Sequence, residues 1–352
     1  MKRLLIALVV VVVVVAGGAA LLATYAFNRM QQPYKGFSEP TRLVEIPSGS
    51  GASEIRRRLV EAGVVSDELA FRAALVWTGQ SRALRAGEYR FDRPMTVVEV
   101  IDKIARGEVY GHPITFPEGL TIREMAAIYQ SSGFGTAAAF IEAAGDRSLI
   151  NDLDPAARDL EGYLFPETYT LPRGTPVSKL IAMMVARFRD TYGDLEETRS
   201  GALKLSLREL VTLASLVEEE TGKAEERPIV AAVYRNRLIR NMPMQADPTV
   251  VYALVKAGTY DGNIRRRDLA FDSPYNTYKY PGLPPGPIAS PGRAALAAAL
   301  APADVNYLYF VSRNDGSHVF AETLAEHNAN VYEYQVLYFR NQRLERQRNS
   351  TR

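Results

Sequence analysis

A chain of 352 residues, 47% of them hydrophobic, exceeds one small domain and predicts two soluble domains with additional segments. Its 42 basic and 40 acidic residues leave a formal net charge of +2, which argues against a general nucleic-acid binder. Cysteine is absent, which excludes disulfides, zinc ribbons, iron–sulfur sites and cysteine nucleophiles. The three histidines, His112, His318 and His327, have no helical metal-ligand spacing, and no HExxH occurs. Composition leaves open only an oxygen-ligand site for calcium or magnesium. No cofactor is expected, and His112 reads as a satisfied structural residue.

The chain opens with Lys2-Arg3 and an uncharged run from Leu4 to Thr24. That run matches the ~20 residues a helix needs to cross a bilayer. A cleaved signal peptide would use the small residues Ala16-Gly17-Gly18-Ala19. The apolar run continues well past them, which favours an uncleaved anchor over residues 1–25. The basic residues ahead of it predict a cytoplasmic amino terminus with the remainder outside, and Tyr25 is a candidate interface residue. Residues 26–41 are polar, contain two prolines and read as a tether.

From Leu43 a theme recurs: LVEIPSGSGASEIRRRL, YRFDRPMTVVEVIDKI, ITFPEGLTIREMAAIY and TYTLPRGTPVSKLIAMM each join a β-prone run, a turn and a helix. Thr96 with Glu99 and Thr121 with Glu124 are capping boxes, and Thr175-Pro176 is an N-cap followed by proline. These pieces predict an α+β architecture, not a long parallel sheet. A boundary near Gly107-Glu108 separates a module at 42–110 from a larger domain at 111–340. The acids of residues 43–110 are scattered among solvated arginines, so a binding or spacing module is the better reading there. LEGYLFPETY (160–169) reads as a core-and-turn segment.

The stretch from Ser206 to Leu238 carries the sharpest signal. Ser206 and Glu209 form a capping box, and Leu207, Leu210, Val211, Leu213, Ala214 and Val217 define an apolar helical face. At about 100° per residue, Glu218 falls inside that face, Glu219 opposite it and Glu220 near its edge. Thr221-Gly222 offers a stop. A carboxyl delivered into apolar surroundings has a raised pKa and suits a general acid. The plainer alternative pairs Glu218 with Arg227, Arg235 or Arg237.

Further on, Asp247-Pro248 starts a helix at QADPTVVYAL (245–254). In SPYNTYKYPGLPPGPIASPG (273–292), eight of the twelve residues from Pro281 to Gly292 are Pro or Gly, which predicts a long rigid functional loop. Its tyrosines offer flat faces with polar tips for a carbohydrate or a peptide. Residues 307–322 read as a β-hairpin, followed by a helix carrying His327 and Asn328, and 341–352 as a basic solvated tail.

With these pieces in order, the chain resembles the endolytic murein transglycosylases, the YceG-like or MltG family. The resemblance is carried by EGYLFPETY, LASLVEEET, NRL with QADPTVVY, YNTY, GLPPGPIASPG and HVFAETLAEHN, together with the anchor and a small LysM-like module, over roughly residues 40 to 335. Glu167 departs from the pattern, where Asp is expected. The resemblance implies cleavage of MurNAc–GlcNAc bonds in nascent peptidoglycan strands, 1,6-anhydro-MurNAc ends, and a role beside membrane synthases at the inner (plasma) membrane, facing the periplasm. It assigns Glu218 as catalytic; Gln245, Asp247, Tyr275, Asn276 and Tyr278 are candidates to line the cleft, each with a structural alternative. Two rivals remain: a hydrolase pairing Glu218 with Asp247 or Glu220, and a non-cutting peptidoglycan-binding scaffold. A peptidase has no supporting motif.

Overall fold

The computed structural model describes residues 2–199 and 204–350, so Met1, residues 200–203 and the last two residues of the expected tail lie outside it. The chain divides into two compact units: Met1–Pro113 with Thr170–Gly174, and Ile114–Tyr169 with Thr175–Arg352. Among the described residues, strands pair only in twos, giving the small-piece α+β organisation that the repeated strand–turn–helix theme predicts.

The first unit begins with α1 (Lys2–Gln31). The helix runs on past the apolar stretch into the expected tether, because Ala26 and Met30 are buried against the rest of the unit. Strand β1 (Arg42–Ile46) leads to α2 (Ala52–Glu61) and α3 (Glu68–Thr78), then β2 (Gly87–Phe91) and α4 (Val97–Arg106). β1 and β2 pair antiparallel, with Val44 opposite Tyr89. Alternation sends Val44, Ile46, Tyr89 and Phe91 to one face, where they meet Ile55, Leu59, Phe71 and Ile101 in a single apolar core. The Thr96–Glu99 capping box forms as expected, and Gly107 closes α4 in the left-handed region. His112 binds Glu88 through Nε2, the structural role expected of it.

β3 (His112–Thr115) and β4 (Thr168–Leu171) pair. The second unit is mostly helical: α5 (Ile122–Ser131), α6 (Ala137–Ala144), α7 (Val177–Glu196), α8 (Leu207–Glu220), α9 (Arg227–Ile239), α10 (Asp247–Lys256) and α11 (Arg293–Leu300). The expected hairpin is β5 (Tyr309–Ser312) paired antiparallel with β6 (His318–Ala321), and α12 (Leu324–Val331) follows. A π-helical stretch at Tyr332–Leu337 leads into the exposed α13 (Tyr338–Ser350).

Helix α8 is the axis of this unit, packing against α9, α10 and α11. Its capping box forms as expected. The expectation of one buried face fails, because every residue from Leu210 to Val217 is buried, Thr212 and Ser215 included. A helix apolar nearly all round is a core helix. Ser215 satisfies its hydroxyl by donating to Thr212 O at 2.8 Å and accepting Ile288 N–H at 3.1 Å. The proline-rich loop is thereby stapled to α8, and Gly119 N–H to Ser290 O (3.0 Å) with Ser290 N–H to Leu120 O (2.9 Å) staples it to residues 119–120.

Candidate active site

Because α8 is wrapped on all sides, its three terminal glutamates are sorted by what each meets at the helix end. Thr221, in extended conformation, terminates the helix; no left-handed glycine follows, contrary to the Thr221-Gly222 expectation.

Glu218 is enclosed, with its side chain only 5% exposed. Arg227, at the start of α9, donates from Nη2 to its Oε1 at 3.0 Å, and Gly292 N–H donates to its Oε2 at 2.9 Å. Arg227 also lies 3.8 Å from Glu118. Each Glu218 oxygen therefore accepts one hydrogen bond, one from α9 and one from the proline-rich loop. The plainer pairing with Arg227 is the one that forms, since α9 brings its first side chain directly over the end of α8. A β-carbon at Gly292 would collide with the Glu118 carboxylate, which would have to move aside for any larger residue.

Glu220 meets different company. Tyr234, fully buried on α9, donates its phenol to Glu220 Oε1 at 2.6 Å. Burial pushes the Glu220 carboxyl up to about 7, against the pull of Tyr234, and the Asp247 carboxylate adds repulsion. Arg237 and His318 oppose that rise. Asp247 opens α10, is exposed, and accepts from the Tyr278 phenol at 2.6 Å. Of the expected site residues, Asp247 and Tyr278 thus gather beside Glu220.

Glu219 faces a cleft of about 410 Å³, lined by Gly119, Glu124, Asp247, Pro248 and Tyr252 among others. Desolvation first, then the carboxylates of Glu124, Glu218 and Glu220, push it up to about 7. A neighbouring hollow of about 300 Å³ shares Thr121, Arg123, Tyr252 and Val255 with this cleft and reaches Glu161 and Lys256. The two form one groove along α10.

The remaining expected residues divide. Gln245 is exposed, with φ of 50°, and its N–H donates to Thr277 O at 3.3 Å just ahead of α10. Tyr275 is half-buried and packs its ring on Tyr252, centroids 4.8 Å apart, at the Glu161 end. Asn276 is completely buried. Its Nδ2 donates to Leu269 O (3.0 Å) and Phe271 O (2.8 Å), and its Oδ1 accepts from Tyr278 N–H (3.0 Å). It holds the loop that presents Tyr278 and touches no open surface. This corrects its expected place in the cleft lining: an amide with both ends satisfied by backbone has nothing left to offer a ligand.

Sequence reasoning passed over Glu161 and Tyr234. Glu161 accepts Ile122 N–H at 2.9 Å and the Tyr252 phenol at 3.2 Å, and burial pushes it up to about 7. The signal for it was present: a carboxyl inside the aromatic run LEGYLFPETY has to be buried with partners.

Residues 44–333 match the model of the YceG-like family. An endolytic murein transglycosylase of Bacillus subtilis is 37% identical over 314 residues, covering 84% of this chain and 86% of its own. A protein of the same name from Streptococcus pneumoniae strain R6 is 33% identical over 86% of this chain, which spans only 60% of that longer relative. A yceG-like protein from Listeria monocytogenes, known from a 2.6 Å crystal structure, is 32% identical with a TM-score of 0.55, over 83% of this chain and 99% of its own.

Proposed function

The chain belongs to the YceG-like family, and from that premise we propose that it is an endolytic murein transglycosylase in which Glu220 carries the proton. The glycan lies in the groove along α10. Glu220, protonated near neutral pH, donates to the glycosidic oxygen as the C1–O bond breaks through an oxocarbenium-like transition state. The resulting carboxylate takes the proton from the C6 hydroxyl of the same sugar as O6 bonds to C1. The proton count closes without water, and the product is a 1,6-anhydro end. Attack from within the substrate gains from proximity and needs no second activated nucleophile.

The single observation that carries this assignment is the Tyr234 phenol donating to Glu220 Oε1 at 2.6 Å, with the carboxylate of Asp247, which lines the groove, close enough to repel Glu220. Glu218, which both its helical position and the resemblance assign, accepts from Arg227 and from Gly292 N–H, and in this reading it positions the loop and Arg227. Asp247 and Tyr278 orient the glycan. A hydrolase with Asp247 as second carboxylate is the alternative that their closeness supports. Mass analysis of digested glycan separates the two: the proposal expects ends lighter by one water, and fully hydrated ends would overturn it.

The uncharged run Leu4–Thr24, within a helix long and apolar enough to cross a membrane, supports a single membrane anchor. The basic Lys2-Arg3 ahead of it supports a catalytic unit on the extracytoplasmic side, the periplasm in a two-membrane cell. The pair β1–β2 with α2 and α3 supports a LysM-like glycan-holding role for the first unit. Cleavage near the membrane fits work on nascent strands beside the synthases that make them.

A further inference from the structure

The first unit has an apolar groove of about 640 Å³ between α1 and α3. Ala23, Phe27 and Met30 line it from α1, and Leu69, Val76 and Trp77 from α3. Val76 is 85% exposed and Trp77 67% exposed, an unusual outlay of apolar surface for a water-facing rim. The Phe27 and Trp77 rings meet edge to face with centroids 5.7 Å apart, so the height of Trp77 along α1 is tied to residue 27.

That height can be converted into depth. The uncharged run Leu4–Thr24, at about 1.5 Å per residue, spans roughly 31 Å, the thickness of a hydrocarbon core. Phe27 then stands about 4–5 Å beyond the hydrocarbon boundary, in the interfacial layer where tryptophan collects. Arg72 lines the same groove and is exposed, a cation of the kind that pairs with lipid phosphates. Ala23 and Thr24, at the end of the uncharged run, are part of the groove's own wall, so acyl chains that coat the helix meet it directly.

We propose that lipid fills this groove, so that the first unit is seated on the bilayer surface with Trp77 at headgroup level. The proposal rests on the reading of α1 as a membrane anchor. Its consequence is that the unit is held at the membrane by a side contact as well as by its tether.

Trp77 is the sole tryptophan of the chain, so intrinsic fluorescence reports on this position alone. The full chain is reconstituted into phosphatidylcholine–phosphatidylglycerol vesicles and recovered by flotation. Lipids brominated near the glycerol backbone are expected to quench Trp77 more strongly than lipids brominated near the chain ends, with blue-shifted emission and protection from aqueous iodide. Val76→Glu, at an exposed position, is expected to cut that quenching roughly twofold or more while flotation is unchanged. Floating protein whose Trp77 emits as in water and is quenched by iodide overturns the seat and leaves the anchor intact. Protection from iodide without quenching by any bromolipid also overturns it, since protein and not lipid then covers the groove. Failure to float removes the anchor and the seat together.

Discussion

The phenol of Tyr234 donates a 2.6 Å hydrogen bond to Glu220, while nine residues apart in sequence Arg227 and Glu218 hold each other at 3.0 Å. Two carboxyls on one helix end thereby meet opposite partners, a cation for Glu218 and a neutral phenol for Glu220, whose burial pushes it up to about 7.

Tyr234→Phe keeps the ring and removes the bond that favours the ionised carboxylate. Burial pushes Glu220 up and the Tyr234 bond pulls it down, so the variant's carboxyl is expected to titrate higher than in the wild type. The alkaline limb of the rate–pH profile is expected to move to higher pH, measured as anhydro-end production between pH 5 and about 9. A limb that stays fixed would detach Glu220 from the chemistry.

Glu218→Gln leaves Arg227 without its charge partner in a nearly closed site. Breaking such a pair costs on the order of 3 kcal/mol, so a clear fall in thermal midpoint is expected. Arg227→Met alone should be similarly destabilising, and the double variant less so than the sum. Additive losses in the cycle would show that the two side chains do not act together.

Gly292→Ala puts a methyl against the Glu118 carboxylate, which must leave Arg227 to make room. A cost of about 1–2 kcal/mol is expected, typical of overpacking. Because Glu118 is half exposed, Glu118→Ala should relieve most of that cost in the double variant. Persistence of the full cost without Glu118 would locate the clash elsewhere.

Glu161 carries a pH signature in stability. Its folded pKa, about 7, exceeds the unfolded value of 4.5, so its contribution is fully present below pH 4.5 and is lost as pH rises through about 7. The shift corresponds to roughly 3 kcal/mol at most. Glu161→Gln, which still accepts from Ile122, should flatten the decline in stability between pH 4.5 and 7. Glu219 and Glu220 titrate in the same window, so the flattening is partial. A denaturation series across this range with unchanged slope would contradict the assignment.

Local structure was legible because local rules govern it. The capping boxes at Thr96, Thr121 and Ser206 form as their spacing predicts, and so does the hairpin at 309–321. The angular argument placed the three glutamates rightly, Glu218 enclosed, Glu219 exposed and Glu220 between, but not their partners, because it took α8 to have one wet side. With α9, α10 and α11 around it, the helix has none until its last turn, and side chains from α9 decide what each carboxyl meets. Asn276 escaped for a related reason: the carbonyls of Leu269 and Phe271 that bury it are set by the path of a loop, which no periodicity encodes.

The most direct test compares turnover of nascent glycan strands by the wild type, Glu218→Gln, Glu219→Gln and Glu220→Gln, each checked for folding by circular dichroism. Loss of the general acid is expected to lower the Glu220→Gln rate by about 10²–10⁴-fold with the fold intact, while folded Glu218→Gln retains measurable cleavage. A Glu220→Gln enzyme that still forms anhydro ends at the wild-type rate, beside a folded and inactive Glu218→Gln, would contradict the account.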